Sequence, residues 1–243
     1  MKGLIRKFNA FLKGIVYWLR PGVWLGFLIQ PLRFSANLLS LSRWIAKQQG
    51  KGLLNDFYTL KRDHSKRYRL YEAVAAKFNL AEVPMDYYEF GVSAAHSFKW
   101  WLSFNHHPES KFYGFDTFEG LPEDWGTYRK GEMAQPIQSI ADGRHTFIKG
   151  LFQETLFPFI QSQQLRSGRR KVIHCDADLF SSTLFILTSL APHLKAGDVI
   201  FFDEFNVPDH EYFAYKLFTE SFYLHLEFLG AVNNYYQVAF VVT

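Results

Sequence analysis

The feature that most constrains this chain is a repeat of strand-like apolar runs that stop at acids, each followed by residues at helical spacing. "MDYYEFGV" carries Glu89, "KFYGFD" ends at Asp116, "KVIHCD" ends at Asp176 and "GDVIFFDEF" carries Asp203. "AAHSFKWWLSF", "LFQETLFPFIQSQQL" and "SSTLFILTSLAPHL" space their apolar residues as amphipathic helices do. "SKRYRLYEAVAAKF" predicts a helix ahead of the first strand, and "HEYFAYKLFTESF" another after the fifth. "RHTFIKG" reads as the third strand, and runs near "YLHLEFL" and "YYQVAFVVT" supply two more at the end. This alternation predicts a doubly wound, Rossmann-like α/β sheet, mostly parallel. Ligands of such sheets sit beyond the carboxyl ends of the strands. Four acids at those ends are therefore the residues to follow.

With 48% apolar and 19% aromatic residues, the chain can bury a large core, which excludes global disorder. Its single cysteine, Cys175, excludes an intrachain disulfide framework and points to a reducing cytoplasm. No zinc-finger spacing, aromatic RNA-binding strand or helix-turn-helix pattern is present, so no nucleic-acid partner is expected. Residues 1–64 form a separate compositional block, ahead of a domain expected over 65–243. This block is rich in Trp, Leu and Phe but is interrupted by Lys13, Arg20, Pro21, Pro31 and Arg33. No apolar run there is long enough to span a bilayer. Trp18, Trp24 and Trp44 beside basic residues suit a membrane-surface helix, peripheral at the inner membrane. Two helices packed on the domain or on a second copy are the alternative.

The strand ends carry the chemistry. Gly91, after Glu89, lets backbone approach a ligand closely, although the glycine spacing of a dinucleotide site is missing. Asp116 is placed to accept hydrogen bonds from ribose hydroxyls. "DAD" at Asp176 and Asp178 is open to three readings: a metal site, a catalytic acid or base, or a helix cap. Asp178 is assigned first to capping the helix beginning near Leu179, with a base role as its alternative. Asp203 and Glu204 add a second acidic pair, and repulsion among such acids calls for a cation.

Taken in order, "YEFGVSAAHS", "FYGFDTFEGLPEDW", "FIKGLFQETL" and "IHCDADLFSSTLFILTSLAPHLKAGDVIFFDEF" resemble the macrocin O-methyltransferase (TylF-like) family of class I S-adenosylmethionine-dependent methyltransferases. The resemblance runs from about Tyr68 to the C-terminus. It implies a seven-stranded sheet with an antiparallel last strand. It also implies methyl transfer to a hydroxyl, often on a sugar, with S-adenosyl-L-methionine and a divalent metal, usually Mg²⁺. By the same resemblance the cofactor residues are Glu89, Phe90, Gly91, Val92, Ser97, Asp116, Thr117, Phe118, Leu121 and Asp142. The metal residues are Asp176, Asp203 and Glu204, and Asp176 and Asp178 are the catalytic candidates. Two departures stand out: Ala95 where glycine is common, and Glu204 in place of an aspartate.

"PEDWGTYRKGEMAQPIQSIADG" is too long and polar for an ordinary connection and predicts a lid, with Trp125, Tyr128 and Arg129 as acceptor contacts. His174 is expected to be buried and satisfied, and Cys175 to pack in the core. The expected partner is a small-molecule or glycan acceptor, with a homo-oligomer left open. Two alternatives stand beside the methyltransferase reading: a DxD glycosyltransferase holding a sugar-nucleotide diphosphate through "DAD", and a non-catalytic membrane-associated scaffold.

Overall fold

The computed structural model describes residues 1–162, 165 and 168–243. The last part of the helix expected through Leu165 includes Gln163 and Gln164, which lie outside the described residues. Among the described residues eight strands form one sheet: β1 (Leu54–Asn55), β2 (Met85–Phe90), β3 (Lys111–Asp116), β4 (His145–Lys149), β5 (Arg170–Cys175), β6 (Val199–Phe202), β7 (Leu226–Val232) and β8 (Gln237–Val242). Their spatial order is β1-β7-β8-β6-β5-β2-β3-β4. All pairings are parallel except those of β8 with β6 and β7. The expected sheet is present with one addition, the two-residue β1, which extends it beyond β7.

The helices are α1 (Lys2–Leu19), α2 (Pro21–Trp24), α3 (Ile29–Gln48), α4 (Lys66–Phe78), α5 (His96–Phe104), α6 (Phe152–Ser162), α7 (Phe180–Leu190) and α8 (Glu211–Phe222). α7 stops earlier than its apolar pattern suggests: Pro192 lacks an N–H to continue the ladder, and Ala191–His193 tightens into a 3-10 turn. The central strands β2, β5 and β6 are buried almost throughout, as strands covered on both faces must be. Two aromatic-rich cores result. One face packs Tyr71, Tyr87, Phe98, Trp101 and Phe201. The other packs Phe90, Phe115, Phe202, Phe205 and Phe240.

Packing of the N-terminal block changes well before residue 64. α1, α2 and the 3-10 turn Gly26–Leu28 bury no residue. From Asn37 onward α3 belongs to the α/β body. Leu41 is buried, and the Trp44 ring lies 5.0 Å from Phe205 and 5.8 Å from Phe240. α3 is fastened to the residues around the start of α8 by Asn37 Nδ2 donating to Asp209 (2.7 Å) and by Ser40 Oγ with the Tyr212 hydroxyl (2.8 Å).

Candidate active site

Strand order reverses at β2, which lies between β3 and β5. The crevice beyond that reversal is where a doubly wound sheet binds its ligand. A cavity of about 640 Å³ opens there, within the range that small-molecule sites occupy. Its wall has two ends of different character. Gly91, Val92, Ser93, Ser97, Asp116, Thr117 and Leu121 form one, while Asp176, Asp178, Asp203 and Glu204 form the other.

Gly91 joins the two ends. Its φ is +91°, and a Cβ built there would lie 1.8 Å from the carbonyl oxygen of Asp176. Only glycine allows that approach. The Asp176 N–H in turn donates to the Phe90 carbonyl (2.9 Å), so the ends of β2 and β5 are locked together. Asp116 organises the loop after Gly91. One carboxylate oxygen accepts from the N–H groups of Val92 and Ser93 (2.8 Å each), and the other from Phe118 N–H (2.7 Å). A carboxylate has about four acceptor positions, so with three taken Asp116 keeps one, on the oxygen that accepts from Phe118, for a ribose hydroxyl. Ala95 sits at φ +61°, a left-handed conformation that glycine adopts without cost. Ala95 therefore stands where glycine fits best.

The acidic end is unusually charged for a buried site. Asp203 and Glu204 are buried, and Glu211 behind them is 0% exposed. Among the described residues, carboxylate oxygens of Asp176, Asp178 and Glu204 lie within 4.8 Å of one another, and His174, Asp176 and Asp203 form a second such group. The imidazole of His174 is already engaged, with Nδ1 3.0 Å from the Tyr87 hydroxyl and Nε2 3.3 Å from that of Tyr71. That leaves a set of oxygen donors. Among the described residues, Asp203 Oδ1, Glu204 Oε2 and Glu211 Oε1 are buried with no hydrogen-bond donor. Buried acceptors are seldom left so.

Burial, reinforced by Asp203 and Glu204, holds the Asp176 carboxyl well above the usual carboxylate range. Burial and the neighbouring Asp176 push Asp178 up to about 7. Burial and Asp178 raise Glu204, and burial and Glu204 raise Glu211. Among the described residues, the Arg67 guanidinium forms an ion pair with the cluster, 3.2 Å from Asp203 Oδ2. Clustered, oxygen-only and short of donors, these residues fit a hard divalent cation such as Mg²⁺.

The structure corrects the capping role assigned to Asp178. Leu179 occupies the N-cap of α7, and no side chain caps it. Asp178 has φ +56°, which turns its carboxyl toward Glu204 and into the cavity wall. Those two carboxyls share a hydrogen bond only when one carries a proton. Other expected residues are spread unevenly. Glu89 lines the cavity floor and accepts from the Tyr87 hydroxyl. Ser97 lines it too, 3.2 Å from the Tyr71 hydroxyl. Phe90 points instead into the core, stacked on Phe115 at 4.8 Å. Phe118 packs on Phe147, and Asp142 is taken by Arg144 through its Nε (3.1 Å) and its Nη2 (2.7 Å). Neither Phe118 nor Asp142 lines the cavity.

In the expected lid, Trp125 and Tyr128 do line the cavity, their rings stacked 5.5 Å apart and their backbones paired. Arg129 turns outward to Asp124 (2.9 Å). Sequence reading missed Arg67, Tyr236 and Glu211. Arg67 looked like one more polar residue of an amphipathic helix. Tyr236, whose hydroxyl donates to Glu204 Oε1 (2.8 Å), comes from the turn between β7 and β8. Glu211 could have been noticed as an acid in the first turn of its helix. Its use there is different: Oε2 accepts from Glu204 N–H (2.9 Å).

Residues 88–205 match the family model described as a methyltransferase domain. Over this stretch the chain is similar to methyltransferase domains. No curated protein matches it by sequence. Among solved structures, CalS11, a calicheamicin methyltransferase, is similar with 19% identity and a TM-score of 0.57, over 74% of this chain and 80% of that one. An apo structure of CalS11, described as a TDP-rhamnose 3'-O-methyltransferase, gives 18% identity, a TM-score of 0.51 and the same coverage. The O-methyltransferase NovP gives 18% identity and a TM-score of 0.50, over 73% of this chain and 80% of that one. These likenesses establish the fold. Neither they nor the domain match support the glycosyltransferase alternative.

Proposed function

We propose that this protein is an S-adenosylmethionine-dependent O-methyltransferase that methylates a hydroxyl of a sugar or glycoside, assisted by a divalent cation. The observation that carries the proposal is the two-ended cavity: a glycine loop and ribose-type acid at one end, an acidic oxygen cluster at the other. CalS11, described as a TDP-rhamnose 3'-O-methyltransferase, and the O-methyltransferase NovP share the fold.

In this reading Gly91, Val92 and Asp116 hold the cofactor, Gly91 through the closeness of its backbone and Asp116 through a ribose hydroxyl. Asp176 and Glu204 would hold the metal with Asp178 beside them, and Asp203 lies next to the same Asp176 carboxylate. When bound, the ion supplies positive charge that lowers the pKa of an acceptor hydroxyl. The chain's remaining work is orientation and proton removal. The acceptor oxygen attacks the methyl carbon, the carbon–sulfur bond breaks, and its electron pair returns to sulfur. The hydroxyl proton leaves to a carboxylate, for which Asp178 is best placed: it lines the cavity and its affinity for a proton lies near neutrality. Arg67 orients Asp203 through their ion pair. Trp125 and Tyr128 offer flat faces for the acceptor sugar, and the loop that bears them closes over it. A panel of nucleotide sugars and glycosides incubated with radiolabelled donor tests this. Label should enter a sugar with Mg²⁺ and not with chelator. Label entering only non-sugar phenols would refute the acceptor class, and metal-independent transfer would refute the cation.

A further inference from the structure

α1 has an uncovered apolar face. Leu4, Phe8, Phe11, Ile15 and Trp18 follow one another at three- and four-residue steps and so share one side of the helix. Their exposure runs from 38% at Ile15 to 81% at Trp18. Trp24 and Phe27 continue this surface beyond the Arg20–Pro21 break. The charge around it has one sign: residues 1–55 contain nine Lys and Arg and no Asp or Glu. Lys2, Arg6 and Lys13 fall on the helical side away from the apolar face. No helix of the described residues is long and apolar enough to cross a membrane.

We propose that residues 1–34 dock the enzyme on an anionic lipid bilayer, with α1 lying in the plane of the interface. The apolar face enters the acyl boundary while the lysines and arginines stay among anionic headgroups. Charge selects this occupant over a second copy, since two such helices would bring like charges together with no acid to offset them. The docking segment joins the body beside the cavity. Arg33 Nε donates to Asp209 (3.1 Å), and the next residue, His210, lies 6.3 Å ring to ring from Trp125 in the cavity wall. The bilayer therefore sits next to the acceptor end of the site.

Flotation of the full chain with phosphatidylcholine vesicles, with and without phosphatidylglycerol, tests the proposal. A basic residue near an anionic surface contributes roughly fivefold to binding, so capture by the anionic vesicles should exceed capture by neutral ones by more than about tenfold. It should fall in high salt. Phe8→Glu with Phe11→Glu should abolish capture with an unchanged thermal melt, because neither side chain is buried. A second variant, Lys2→Gln with Lys7→Gln and Lys13→Gln, should lose the preference for anionic vesicles while leaving the apolar face intact. Absence of wild-type capture by anionic vesicles overturns the proposal, as does equal capture of the Phe8/Phe11 variant. So does a lipid-free dimer that this variant converts to monomer while vesicles capture nothing.

Discussion

Asp178→Asn should stabilise the metal-free protein at alkaline pH and remove part of its response to Mg²⁺. The Asp178 carboxyl is pushed from its ordinary value of 3.8 to about 7, first by burial and then by Asp176. At roughly 1.4 kcal/mol per pH unit, keeping it ionised in the fold costs about 4 kcal/mol near pH 8. The sign follows from linkage. The folded value lies above the unfolded one, so the stabilising contribution is complete below about pH 4 and is lost as pH rises through about 7. An amide of the same shape has no such dependence. About 4 kcal/mol is a ceiling for the gain, because the amide must still find partners beside Glu204. For a chain of this size each kcal/mol corresponds to roughly 2–4 °C of melting temperature. Differential scanning fluorimetry with chelator should therefore show the variant melting several degrees above wild type near pH 8, with the gap closing toward pH 4. Mg²⁺ should raise wild type near pH 8 more than the variant. A variant that melts at or below wild type near pH 8 in chelator refutes the account of the cluster as charge held for a cation.

Further outcomes follow from the same geometry. Asp203→Asn should abolish methyl transfer while S-adenosylhomocysteine binding, measured by calorimetry, stays within about twofold, since Asp203 belongs to the acidic end. Gly91→Ala should lose cofactor binding and destabilise the fold by roughly 3 kcal/mol or more, because its Cβ would collide with backbone at 1.8 Å; urea denaturation reads this. Ala95→Gly should raise stability by up to about 1 kcal/mol, relieving φ +61°. If the loop carrying Trp125 closes over ligand, S-adenosylhomocysteine should slow its proteolysis, and equal cleavage with and without ligand would sink that idea.

The sheet was legible because strand and helix periods alternate cleanly after residue 65, and because burial on both faces makes β6 a continuous apolar run and places Tyr87, Tyr88 and Phe90 in β2 and Val172 and Ile173 in β5. Asp116, Asp176 and Asp203 were legible for the same reason: a strand end is found by counting. What escaped depends on backbone direction. Asp178 looked like a cap, but its left-handed φ turns it into the cluster, and a sequence does not display that angle. Phe90 sits beside Glu89 in the motif, yet strand alternation sends it to the opposite core. Arg67 and Tyr236 reach the site from elements distant in sequence, brought there by α4 and by the β7–β8 turn. The strand added by β1 is only two residues long, too short to show a pattern.

The central claim is that the glycine-loop end of the cavity binds the methyl donor. Titration calorimetry of S-adenosylhomocysteine into wild type, Asp116→Asn and Asp203→Asn tests it most directly. The account predicts one site per chain in wild type, at least about tenfold weaker binding in Asp116→Asn, and near-wild-type binding in Asp203→Asn. No binding by wild type, or undiminished binding by Asp116→Asn, would contradict it.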